Sequence, residues 1–397
     1  MKILWMSNSP AAPTGYGKQT ALFTRKIKQD HDLFIFSFYG REGGPVMNPD
    51  GIIELSRFRD GWGNDIIGAH YAKTASDVLI GLVDPFVHSA EEFSRLNWVA
   101  YVPIDSHPMK HMNTSILRHA KRVIAMSKFG RDMLEDEGFA NVLYMPHAYD
   151  GKAIFPIEKA KARAYMKEKF NVPEEGELII DIANNKGRPS RKNFVGLFQA
   201  FAKILDARSN VSLYIHTDPQ RPDGEDLNIF IKSMGLEGRV FFPNKYEYLN
   251  SQYDDDDLNH IFNAADCMLH MAYGEGFGVP ALEVQAVGVP VIQTNGTAMK
   301  ELTFIDKFRI DSRPYYAGVE GSFMDEPDVD HAAKIVVDYL SKARIDAEYK
   351  ESVQKELIER ASEYEIDVVY DRYTKPILEG LERDYGKRSD GDTADAG

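Results

Sequence analysis

Short apolar runs alternate along this chain with stretches in which apolar residues recur every three or four positions. The runs at 3–6, 33–38, 78–83, 98–102, 123–126 and 142–145 are almost unbroken in apolar character. Runs of that length fit strands buried on both faces, as in a parallel sheet. The stretch 18–28 has helical spacing. Strand ends are marked by Asp84-Pro85, Pro103, Ser127 and Pro146. Between about 150 and 176 the pattern breaks. Asp150-Gly151 and Pro156 interrupt it, a Lys- and Glu-rich helix follows, and Pro173-Glu174-Glu175-Gly176 closes the segment, which reads as a linker. The alternation then restarts. Strands are predicted at 178–183, 211–216, 240–242, 267–270 and 290–293, and helices at 195–205, 227–234, 258–265 and 280–287. From about Ala332 to Arg383 the chain reads as helical, with Asp330 as a cap and 366–381 as the last helix. No internal repeat is visible.

Two successive α/β units follow from this pattern, and 397 residues suit two domains at ~150 residues each. The expected division is 1–155 and 175–355, with a crossover helix at about 366–385 and a disordered tail at 386–397. In such sheets ligands sit outside the carboxyl ends of the strands, and with two domains the cleft between them is the expected place.

A net charge of −14 argues against broad electrostatic attraction to nucleic acid or an anionic membrane. One cysteine, Cys267, excludes an intramolecular disulfide and a multi-cysteine metal site, and its apolar neighbours make it a buried small residue. It fits a reducing, cytoplasmic setting. The apolar run at 3–6 ends at Ser7-Asn8-Ser9-Pro10, too short for a signal-peptide core or a spanning helix.

Three segments carry candidate chemistry. In 275–283, EGFGVPALE, glycines Gly276 and Gly278 precede Pro280, which suits the first position of a helix. Bare N–H groups at the positive end of that helix would suit a phosphate, with Glu275 and Glu283 placed to accept hydrogen bonds from sugar hydroxyls on either side. The spacing equally fits a tight strand–helix turn with surface glutamates. The second segment holds Lys186, Arg188, Arg191 and Lys192 between a strand and a helix. Cations there suit a diphosphate, gripped bidentately by arginine or met by lysine as a point charge; a solvated basic loop is the competing reading. The third, 14–20, is glycine-rich but fails two phosphate-loop patterns. Thr20 stands where a dinucleotide fingerprint needs its third glycine, and Ala12 and Gln19 break the P-loop pattern.

Asp254-Asp255-Asp256-Asp257 reads as an N-cap and first helical turn rather than a metal site. No histidine pair has zinc spacing on a convincing helix, and no metal site is assigned. Asp105 and His107, past a strand end, are open to either a chemical or a structural role. There is no G-x-S-x-G elbow.

Together these residues resemble the retaining glycosyltransferases of GT-B fold, glycosyl transferases group 1 (family GT4), over nearly the whole chain. The 275–283 segment is similar to that family's E-x7-E motif and continues into 286–292, AVGVPVI. Arg191-Lys192-Asn193 resembles its cationic site, and 123–127 and 145–150 resemble the end of its acceptor domain. The resemblance implies an α/β GT-B architecture: two Rossmann-like doubly wound domains face a central cleft, and the C-terminal helix crosses back to the first. It implies a nucleotide-diphosphate sugar, UDP- or GDP-linked, as co-substrate, with no other cofactor and no metal. Glu283 would hold the ribose, Glu275 a hydroxyl of the transferred sugar, and the backbone of Phe277, Gly278 and Val279 the sugar or phosphate. Lys192, with Arg188 or Arg191, would neutralise the leaving diphosphate. Gly15 and Gly17 would close over it, and the base would lie near 242–246, around Asn244. Tyr16 and His107 are acceptor-side candidates and Asp105 a catalytic one. The family's histidine after the strand ending at Val102 is replaced by the choice between Asp105 and His107, and its glycine after His147 by Ala148.

Competing functions are a nucleotide-sugar epimerase, a phosphorylase and a non-catalytic nucleotide-sugar-binding protein. A dinucleotide oxidoreductase conflicts with the failed fingerprint. The acceptor is open: a small molecule, glycan, protein, lipid or, against the acidic balance, a hydroxymethylated DNA base.

Overall fold

The computed structural model describes residues 1–316, 318 and 321–386. Apart from Gly386, the expected tail at 386–397 lies outside the described residues. The chain divides into two compact units. One comprises Met1–Ile104, Met109–Ala148 and the chain from Ile366; the other comprises Asp105–Pro108 and Tyr149–Glu365.

The first unit is built on β1 (Lys2–Asn8), β2 (Asp32–Tyr39), β3 (Val46–Met47), β4 (Ile53–Ser56), β5 (Val78–Leu82), β6 (Trp98–Val102), β7 (Arg122–Ala125) and β8 (Leu143–Tyr144). The sheet order is β3-β4-β2-β1-β5-β6-β7-β8, parallel except for β3. The apolar runs become its core. Trp5 stacks on Phe23 at 6.1 Å and meets Tyr101 edge-on at 6.5 Å. The first helix, Gly15–Ile27, is capped by Thr14, whose hydroxyl accepts from the Gly17 N–H at 3.0 Å. Gly17 is required by close approach, since a Cβ there would lie 2.2 Å from the Ala12 carbonyl oxygen.

The chain returns to this unit at Ile366, in two helices, Ile366–Val369 and Lys375–Tyr385, joined by a π-turn over Tyr370–Thr374. The predicted last helix at 366–381 is therefore present, with a π-helical segment inside it. Arg122 reaches Asp384 at 2.7 Å, and Tyr373 meets Tyr144 edge-on.

The second unit holds β9 (Glu177–Ile182), β10 (Val211–His216), β11 (Val240–Phe241), β12 (Cys267–His270), β13 (Val291–Thr294) and β14 (Arg309–Ile310). They form one parallel sheet in the order β11-β10-β9-β12-β13-β14. An unforeseen antiparallel hairpin, β15 (Ser312–Tyr316) with β16 (Phe323–Pro327), is added beside it. The segment read as a linker contains the helix Lys159–Phe170, which packs on the helix Asp255–Ala264 and pairs Lys159 and Arg163 with Asp266. It is part of this unit. So is Asp105–Pro108, because His107 and Phe323 exchange two backbone hydrogen bonds of 2.8 Å.

The aspartate run caps its helix. Asp254 accepts from the N–H groups of Asp256 and Asp257, and Asp257 returns a bond to the Asp254 N–H. The cap of Val329–Ile345 is Asp328, not Asp330; Asp330 stands in the first turn and pairs with Lys203 at 2.8 Å. No described helix is long and apolar enough to cross a membrane.

In the second sheet the winding direction reverses between β9 and β12. Loops leaving the carboxyl ends of strands at such a reversal diverge to opposite faces and leave a crevice. The two loops there are 183–193 and 271–278, the two segments that the sequence marked for phosphate chemistry.

Candidate active site

Arg191 and Lys192 are placed by the end of the first loop. Asn193 follows them in the left-handed conformation (φ 52°) and caps the helix Phe194–Ala207, its side-chain oxygen accepting from the Gly196 N–H at 3.0 Å. The cap ends the loop at the carboxyl end of the sheet. The loop is tied across by the Tyr273 N–H, which donates to the Arg191 carbonyl at 2.9 Å.

The second loop presents Glu275. Its N–H donates to the Thr297 hydroxyl at 3.0 Å. Gly278 (φ +109°) is the N-cap of Val279–Ala286, a conformation that favours glycine. Pro280 falls at the second helical position, where no N–H is needed. Phe277 and Val279 are buried, and Glu283 lies one turn inside the helix, also buried rather than on the surface.

These two loops meet through Glu275. Lys192 Nζ donates to Glu275 Oε1, and the Arg191 guanidinium lies 3.1 Å from Glu275 Oε2. Arg191 also donates to the Gly274 carbonyl and lies 3.7 Å from Asp105 Oδ2. Burial opposes the Glu275 charge, but Arg191 and Lys192 outweigh it and hold its carboxyl well below the usual range. Burial also lowers the Lys192 ammonium, an effect Glu275 offsets only in part.

Two residues absent from the sequence-based list complete the cluster. His270, the last residue of β12, has Nδ1 2.8 Å from Asp181 Oδ1 and Nε2 3.1 Å from Glu275 Oε1. Asp181 lies on the neighbouring strand β9 and is fully buried. The available signal was a polar residue at or near the end of each of two apolar runs.

The other candidates are held by contacts of their own. Arg188 does not join Arg191 and Lys192. Its guanidinium donates to the carbonyls of Gly224 and Pro222 (3.0 Å for the latter), so it clamps the 222–224 turn. Asn244 is exposed and caps the helix Lys245–Leu249 through the N–H groups of Tyr246 and Glu247. His107 is placed 3.5 Å from Asp325 within the second unit. Gly15, Tyr16 and Gly17 lie at the head of the first helix of the first unit.

Gly274 is a second close approach. A Cβ there would lie 2.4 Å from the Asp105 carbonyl oxygen. Gly274→Ala must displace one of the two backbones that frame Arg191 and Glu275. Misplacement of this size costs catalysis steeply, so about a hundredfold loss of turnover is expected. Initial rates at saturating donor check this; a loss below threefold would show that the loop absorbs the methyl group.

A parallel sheet whose order reverses between β9 and β12 defines a doubly wound α/β class, and the solved structures agree in fold. Sucrose-phosphate synthase from Thermosynechococcus elongatus aligns with 97% of this chain and 100% of its own, at 17% identity and TM-score 0.74. An Anabaena protein solved in complex with UDP and glucose aligns with 96% of this chain and 99% of its own, at 15% identity and TM-score 0.66. The fold is GT-B. Residues 165–356 match the family model described as glycosyl transferases group 1. Mannosylfructose-phosphate synthase of Agrobacterium fabrum is 27% identical over 191 residues, 45% of this chain. The match spans 38% of that relative's length.

Proposed function

We propose that this protein is a retaining glycosyltransferase that moves a hexose or pentose from a nucleotide-diphosphate sugar to a hydroxyl acceptor. The observation that carries the reading is the pair Arg191 and Lys192, gathered on Glu275 at the reversal point of the second sheet. When the bond from the anomeric carbon to the phosphate oxygen breaks, its electron pair goes to that oxygen. Preorganised cations stabilise the charge as it develops. The acceptor oxygen then bonds to the anomeric carbon, and its proton passes to the departing phosphate. Glu275 meets a hydroxyl of the transferred sugar, and Glu283 meets the ribose. The start of the Val279–Ala286 helix supplies N–H groups to the sugar or phosphate. The reading uses no metal and no cofactor beyond the nucleotide sugar. UDP is the first choice of carrier, supported by the UDP complex of the Anabaena neighbour, with GDP next. The acceptor classes stay as the sequence left them, and a single buried cysteine supports a cytoplasmic site of action.

A thermal-shift panel with UDP, GDP, ADP, dTDP and NAD tests this. A ligand at ~100 times its dissociation constant stabilises the fold by about 2.7 kcal/mol. One nucleoside diphosphate is expected to raise the melting temperature and name the base. A shift with NAD alone, or with none of the five, would overturn the reading.

A further inference from the structure

His270 sits between two carboxylates. Nδ1 faces Asp181 at 2.8 Å and Nε2 faces Glu275 at 3.1 Å, and all three residues are buried. A neutral imidazole has one N–H and would turn a lone pair on one of the two acids. Only the imidazolium donates to both. Asp181 Oδ2 makes no hydrogen bond among the described residues, so the polar contact of that carboxylate is with His270. The same Glu275 oxygen that receives His270 also receives Lys192.

We propose that His270 is a positioning residue for the anion site. As imidazolium it takes up part of the Glu275 charge and leaves Arg191 and Lys192 attractive to a diphosphate. Without its proton, Glu275 turns its charge on the two cations and the site weakens. The proposal rests on the nucleotide-sugar reading above.

The groups facing the imidazole are few. Asp181 comes from β9, Glu275 from the loop after β12, and Lys192 from the loop after β9. Gln293, its neighbour across β13, is uncharged. Burial and Lys192 oppose the proton on His270, but the two acids outweigh them and raise its pKa to about 8. The site is therefore charged at pH 7 and loses that charge as the pH rises through 8. The terminal phosphate of a nucleotide ionises near ~6, below this window.

Calorimetric titration of UDP and GDP into the full chain at pH 7.0, 8.0, 9.0 and 9.5 tests the proposal. The dissociation constant of wild type is expected to rise about five- to tenfold across the range, the low end of ordinary coupling between sites. His270→Gln should start near the weakened value at pH 7 and stay flat. Asp181→Asn should move the loss to lower pH. A wild-type slope that survives in His270→Gln comes from another group, Lys192 or the nucleobase, and overturns the proposal, as does a flat wild type. Failure of wild type to bind either nucleotide at any pH overturns the nucleotide-sugar reading itself, and this is seen before any variant is made. If the variants do not fold, the NMR titration of the His270 ring in wild type decides: a midpoint near 8 supports the proposal, and one below 7 overturns it.

Discussion

Lys192→Ala is expected to lower sugar transfer by about 10²–10³-fold, the usual cost of removing one preorganised donor from a developing negative charge. The loss should fall on turnover, because the charge on the leaving phosphate is fully formed only after the bond has broken. Nucleoside diphosphate binding should weaken as well, since the product carries that charge in its ground state. The fold should survive. Glu275 keeps Arg191 at 3.1 Å and His270 at 3.1 Å, so the buried carboxylate is not left unpaired. Lys192→Arg is not a neutral control, because a planar fork replaces a point charge in a half-buried position already flanked by Arg191. The measurement is the initial rate of nucleoside diphosphate release at saturating donor, with a melting curve beside it. Turnover within threefold of wild type, in a protein that melts normally, would remove Lys192 from the reaction.

The sequence made some parts of this site legible and hid others, for physical reasons. Buried parallel strands leave plain apolar runs, and β6, β10 and β12 lie where those runs are. The short β3, and the hairpin β15–β16 with its Pro314 and exposed Tyr316, bury too little to leave such a mark. The 275–283 segment was readable because a glycine at positive φ and a proline early in a helix are local requirements. The choice between Arg188 and Arg191 was not local. It depends on the 222–224 turn, whose carbonyls take Arg188, and on Gly274, whose carbonyl takes Arg191. Asp181 and His270 were hidden for a related reason. They meet only because β12 inserts beside β9, with two strands and their helices between them in the sequence. Asp105 follows a strand of the first unit, yet the backbone pairing of His107 with Phe323 carries its segment into the second.

At the opposite ends of those two strands, Asp266 sets the largest stability effect expected of one side chain. It stands just before β12 and accepts the Leu178 N–H of β9 at 2.8 Å. It also pairs with Lys159 and with Arg163, the latter at 2.6 Å. Arg163 is buried, and its Nε donates to the Ala264 carbonyl. Burial opposes the Asp266 charge, but Lys159 and Arg163 outweigh it and hold its carboxyl below the usual value. Asp266→Ala leaves a buried guanidinium without its counter-ion and a strand N–H without its acceptor. Breaking a buried pair in this way costs about 3–5 kcal/mol. For a unit of this size each kcal/mol is worth about 2–4 °C, so the transition of the second unit should fall by about 10 °C. Asp266→Asn can keep the bond to Leu178 while losing the charge, and should fall between. The pH dependence has a definite sign. A carboxyl held low in the folded state stabilises above its unfolded pKa, about 3.9, and loses that contribution as the pH falls through the folded value. The gap between wild type and Asp266→Ala should therefore be full at pH 7 and shrink below pH 4. Thermal unfolding at the two pH values measures it, and a shift under 2 °C at pH 7 would show that solvent replaces the carboxylate at Arg163 without cost.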